Sequence, residues 1–114
     1  MTDPDHLVIA LDDDPAFLSS LDRLLTASGH PVRCHTDPGG FFAAGRPAVP
    51  ACLLLDYELA DGANGTDVHA EIQRRGWNLP TVKVHRGHAM RKLRAGNAAE
   101  LGRIATKTGI VQPD

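Results

Sequence analysis

An α/β fold, built from βα units around a mainly parallel sheet, is predicted by three features of this sequence. Two continuous apolar runs, Leu7-Val8-Ile9-Ala10-Leu11 and Cys52-Leu53-Leu54-Leu55, read as strands buried on both faces. Both runs stop at acid, the first at Asp12-Asp13-Asp14 and the second at Asp56. Strand and helix signals then alternate along the chain without internal repeats or low-complexity linkers.

Each element has its own local reason. Asp14 is a natural N-cap and Pro15 suits the first helical position, so a helix begins there; Phe17, Leu21, Leu24 and Leu25 form its apolar stripe and Gly29 closes it. Pro31-Val32-Arg33-Cys34-His35 alternates like a short strand. Asp37-Pro38 repeats the cap-and-proline start for a brief helix through Phe41, Phe42 and Ala44, ended by Gly45 and the Pro47–Pro50 stretch. A third strand, Ala51 to Leu55, delivers Asp56. The polar loop Ala60-Asp61-Gly62-Ala63-Asn64-Gly65 leads into a helix with Val68, Ile72 and Trp77 assigned to its inner face. Leu79-Pro80 introduces a fourth strand, Thr81 to His85, in which Lys83 marks either an edge position or a buried stem with its ammonium reaching out. A helix from about Met90 to Leu101 and a fifth strand, Gly102 to Thr106, follow. The remaining residues are too few and too poor in helix formers for a last full helix.

Composition narrows the function classes. At 114 residues the chain is read as one domain spanning 1–114. Its hydrophobic fraction of 42% and charged fraction of 23% are those of a globular protein in water, and no apolar run approaches the roughly 18–20 residues of a membrane span. The acidic start Met1-Thr2-Asp3-Pro4-Asp5-His6 lacks the basic region of a signal peptide, which predicts a cytoplasmic protein. Cys34 and Cys52 have no CxxC spacing and read as buried thiols. Charge is uneven: positions 1–80 hold five Lys/Arg against twelve Asp/Glu, and 81–114 hold seven against two. The basic residues Arg86, Arg91, Lys92, Arg94 and Arg103 have no interleaved aromatics and no recognition-helix motif, which argues against nucleic acid as a partner. The His85 and His88 pair lacks a third ligand at zinc spacing.

Carboxylates at the carboxyl ends of neighbouring strands lie where open α/β sheets bind ligands. Several such acids suit Mg²⁺, a hard ion that takes oxygen ligands and keeps several waters. A carboxylate beside that ion can attack a phosphoryl donor if a nearby ammonium helps to neutralise the transferring oxygens; Lys107, after the fifth strand, is the available ammonium. The plain alternative for Asp12–Asp14 is an N-cap with extra acid at the helix dipole, which leaves Asp56 without a role.

Leu11-Asp12-Asp13-Asp14-Pro15, Leu54-Leu55-Asp56-Tyr57-Glu58-Leu59, Leu79-Pro80 and Thr106-Lys107 together resemble the receiver domain of two-component response regulators, over nearly the entire chain. The resemblance implies a flavodoxin-like (CheY-like) fold with a five-stranded parallel sheet in the order 2-1-3-4-5, here with the fifth helix missing. It implies Asp56 as phosphoacceptor, Asp12 and Asp13 as the acidic pair, Mg²⁺ held by Asp12, Asp13, Asp56 and the backbone carbonyl of Glu58, and Lys107 as the phosphate-pairing lysine. The implied partner is a histidine kinase or phosphotransfer protein, in a signalling reaction and not metabolic turnover.

Three features depart from the family pattern. His85 stands where receivers usually carry the Ser or Thr that swings toward the phosphoryl group, Ile104 stands where an aromatic usually reports that swing, and Thr108 replaces the proline usual after the lysine. His85 reads as a phosphate ligand, as a pH-sensitive stand-in for the hydroxyl, or as an ordinary strand-end residue. The expected function is a stand-alone receiver acting in trans; the alternative is a pseudo-receiver that works by dimerisation or partner binding. A sheet flank without its fifth helix needs cover, and a homodimer would provide it.

Overall fold

Two Asp-Pro steps and an asparagine determine where the helices start. In the computed structural model, which describes residues 6–56 and 64–84, the elements run β1 (Leu7–Leu11), α1 (Pro15–Ala27), β2 (Val32–His35), α2 (Pro38–Ala43), β3 (Ala51–Asp56), α3 (Gly65–Arg74) and β4 (Thr81–Val84). Asp14 caps α1 and Asp37 caps α2, each followed by proline at a position whose missing N–H is harmless. Asn64 caps α3, its Oδ1 accepting the Asp67 N–H at 2.9 Å. Gly29 closes α1 with φ of +87°, a left-handed turn that a side chain would resist.

The four described strands are all parallel and lie in the order β2-β1-β3-β4. This is the flavodoxin-like arrangement expected, over the strands described. The helix assigned to about residues 90–101, the strand at 102–106 and the chain end lie outside the described residues.

Both long apolar runs are buried throughout because helices cover both faces of the sheet. Leu7, Ile9, Leu11, Leu53 and Leu55 pack with Phe41 of α2 and with Val68 and Ile72 of α3. Their neighbours one residue along, Val8, Ala10, Cys52 and Leu54, face the other way and pack with Phe17, Leu18, Leu21 and Leu25 of α1. Leu18 is an addition to the expected stripe, and Leu24 is only partly buried. Cys34 and Cys52 are free thiols, Cys52 fully enclosed and Cys34 half-buried.

Trp77 differs from its expected place. It lies beyond the α3 cap Arg75 and the left-handed Gly76, and meets Phe41 and Phe42 edge-on or tilted, with ring centroids 5.8 and 5.6 Å away. The Arg75 guanidinium sits 4.4 Å above the Phe42 ring. Trp77 thus closes the junction of α2 and α3 instead of extending the α3 stripe. Lys83 is exposed on β4, at the margin of the described sheet, while Val82 and Val84 turn toward the α1 side. None of the helices among the described residues is long and apolar enough to cross a membrane.

At the end of the sheet where β1 begins, His6 and His30 share a hydrogen bond, Nε2 to Nδ1, of 3.1 Å. Burial, and then the charge of His6, push the His30 imidazole below its ordinary range. The unfolded chain therefore takes up this proton more readily than the folded one. The contribution to stability is complete above the ordinary imidazole value of about 6.5 and is lost as pH falls through the lower, folded-state value. Urea midpoints measured between about pH 7.5 and 5 should fall with acid, and His30→Gln should flatten that fall; parallel profiles for the two proteins would contradict it.

Candidate functional site

The carboxyl edge of the sheet gathers the acids because of register. Leu11 of β1 pairs with Leu55 of β3, so the next residues, Asp12 and Asp56, leave the two strands at the same height. Both continue the alternation that turns Val8 and Ala10, and Cys52 and Leu54, toward the α1 side. Asp12 and Asp56 are almost enclosed, at 2% and 6% exposure, whereas Asp13 is partly open. One carboxylate oxygen from each of Asp12, Asp13 and Asp56 lies within 4.8 Å of the others.

The backbone around Asp12 is held from two sides. Its N–H donates to the His35 carbonyl at the end of β2 at 3.1 Å, and its Oδ1 accepts the Asp14 N–H at 2.9 Å. Asp14 itself takes no part in the cluster. Its Oδ1 accepts the Ala16 and Phe17 N–H groups at 3.0 and 3.3 Å, so the third acid of the run is the cap of α1.

The donor set fits Mg²⁺. It consists of carboxylate oxygens alone, the hard ligands that this ion prefers. Asp12, Asp13 and Asp56 would be the residues that hold such an ion, and their carboxylates already face one another. Two of the three acids are enclosed, and a divalent cation would offset both their desolvation and their mutual repulsion.

Of the residues singled out in the sequence, Asp12, Asp13 and Asp56 are brought together. Glu58, His85, Ile104 and Lys107 lie outside the described residues. His35 was not anticipated, although its carbonyl anchors Asp12. Its Nε2 is buried without a hydrogen-bond partner, and burial, then Arg33, push its imidazole below the ordinary range against a smaller upward pull from Asp37. The alternation of β2 gives no sign of this, since a main-chain acceptor leaves no side-chain signature.

Comparison with known proteins finds response regulators among the relatives of this chain. The chain is 34% identical over 86 residues to the transcriptional regulatory protein FixJ of Azorhizobium caulinodans, covering 75% of this chain and 40% of that protein. It is 27% identical over 101 residues to the response regulator protein TmoT of Ectopseudomonas mendocina, covering 84% of this chain and 45% of the relative. The chain thus spans less than half the length of these curated relatives. Among solved structures, a CheY-like response regulator receiver domain protein from Methanospirillum hungatei superposes with a TM-score of 0.64 at 23% identity, covering 93% of this chain and 95% of the other. No family model matches the sequence.

The crowding of charge has a measurable effect. At an effective dielectric of about 20, two unit charges roughly 5 Å apart repel by about 3 kcal/mol, and the partly open Asp13 feels a screened fraction of this. Without divalent cations, Asp13→Asn should stabilise the fold by about 1 kcal/mol, read as a raised urea midpoint with unchanged slope. A midpoint lower than that of the parent protein would be inconsistent with repulsion within the cluster.

Proposed function

We propose, from the premise that this chain is a receiver domain of the response-regulator kind, that it accepts a phosphoryl group on Asp56 in a cytoplasmic phosphorelay. The supporting observation is the convergence of Asp12, Asp13 and Asp56 at the ends of two adjacent strands. The donor is a phosphohistidine on a kinase or phosphotransfer protein. The Asp56 oxygen forms its bond to phosphorus as the bond from phosphorus to the donor imidazole nitrogen breaks, and that nitrogen keeps the electron pair. Asp12, Asp13 and Asp56, with the Glu58 carbonyl, are the groups assigned to hold Mg²⁺, which when bound neutralises charge on the transferring oxygens. Lys107 is assigned to pair with the phosphoryl group. The stretch 1–114 is read as one such domain, a signalling module that works through contacts with other proteins and not by metabolic turnover.

His85 and Ile104, standing where the family carries a hydroxyl and an aromatic, favour a second reading. In it the fold persists as a dimerisation or partner-binding module independent of phosphorylation. Acetyl phosphate with MgCl₂, followed by intact-mass measurement, separates the two. Under the first reading the protein gains the mass of one phosphoryl group, EDTA prevents the gain and Asp56→Asn abolishes it. A folded protein that stays unmodified at saturating Mg²⁺ would sink the phosphoacceptor assignment and leave the binding module.

Self-association belongs to the same proposal, as a means of covering an apolar sheet flank. Light scattering at micromolar concentration should return twice the chain mass. A single-chain mass under those conditions rules the homodimer out.

A further inference from the structure

We propose that Asp14 is a positioning residue, whose cap on α1 fixes the orientation of Asp12 and Asp13 and so sets the Mg²⁺ affinity; this rests on the cation site proposed above. The connection runs through consecutive hydrogen bonds. Phe17 and Leu18 are buried against the sheet, which anchors the first turn of α1. The Asp14 carboxylate accepts the Ala16 and Phe17 N–H groups, and the Asp14 carbonyl accepts the Leu18 N–H at 3.1 Å. The same residue's own N–H is thereby held where it donates to Asp12 Oδ1 at 2.9 Å.

Asp13 lies between these two anchors. On one side the Asp12 N–H is tied to the His35 carbonyl, and on the other Asp14 is tied into α1, with Pro15 restricting the next φ. The short segment that presents two of the three carboxylates is thus suspended between β2 and the first turn of α1, whose inner face is buried. Groups that orient the ligands of a metal typically change its affinity by about 10- to 100-fold when removed. Asp14 acts at one remove, through the backbone, so the lower end of that range applies.

This role is distinguishable from two simpler ones. If Asp14 acted by its charge, any neutral residue would weaken binding, whether or not it could cap. If the cap served stability alone, losing a cap elsewhere would have the same effect. Asp37, which caps α2 by accepting the Gly40 N–H at 2.7 Å, provides that control.

The test is calorimetric titration of the full chain with MgCl₂, at a temperature where circular dichroism shows every variant folded. Asp14→Ala should weaken Mg²⁺ binding roughly ten-fold, Asp14→Asn should stay within about two- to three-fold of the parent, and Asp37→Ala should leave binding unchanged. The amide of residue 14 should exchange slowly with solvent in the parent and the Asn variant, and faster in the Ala variant. Parent-like affinity in Asp14→Ala overturns the inference while leaving the cation site intact. Equal weakening in Asp14→Asn and Asp14→Ala replaces positioning by charge, and equal weakening in Asp37→Ala replaces it by general stability. If the folded parent, like Asp13→Asn, takes up no Mg²⁺, the cation site itself is wrong and the inference falls with it.

Discussion

Register between β1 and β3 governs what happens at the acidic edge. The two strands are parallel and pair residue for residue from Leu7 with Ala51 to Leu11 with Leu55. A slip of one position would turn the side chains of one strand to the opposite face, placing Leu11 where Ala10 now meets α1. It would also separate Asp12 from Asp56 by one strand residue, about 3.3 Å, and reverse the side on which one of them emerges. The core resists such a slip because both faces of both strands are packed. The same hydrophobic contacts that stabilise the sheet therefore bring the carboxylates together, although none of those contacts involves a polar group.

Burying acid next to acid works against stability, and the fold tolerates it through its backbone. Enclosed carboxylates need hydrogen-bond donors, and Asp12 receives one from the main chain two residues ahead. The first turn of α1, held by Phe17 and Leu18, keeps that donor in place. The arrangement divides one run of three identical residues into different roles: an enclosed acid, a partly open acid and a helix cap. Neighbouring positions thus diverge in chemistry because the chain changes from strand to helix across them.

Much of this was legible in the sequence because the signals were local. Apolar runs ending in acid identified β1 and β3, and the Asp-Pro pairs marked the starts of α1 and α2. The convergence of Asp12, Asp13 and Asp56 followed once those two strands were taken as neighbours. Trp77 was misjudged because helical spacing continues on paper past Arg75 and Gly76, where the chain in fact turns through a left-handed residue. The anchoring carbonyl of His35 was invisible because any residue at that position carries the same carbonyl. The burial of the His35 ring depends on Phe41 and α2 packing beside it, a contact that no pattern within β2 encodes.

The aromatic junction of α2 and α3 has a practical consequence. Trp77 is the chain's single tryptophan, and it lies near the start of β4, at the rim where the parallel strands begin. The acids lie at the rim where they end, five residues along β3 from Ala51, or roughly 17 Å away. Its fluorescence is therefore insulated from local quenching at the carboxylates and sensitive to the stacking of Phe41, Phe42 and Arg75 around it. A change in its emission when the far rim is loaded would be an optical signal of altered packing at the α2–α3 junction, obtainable without attaching a dye.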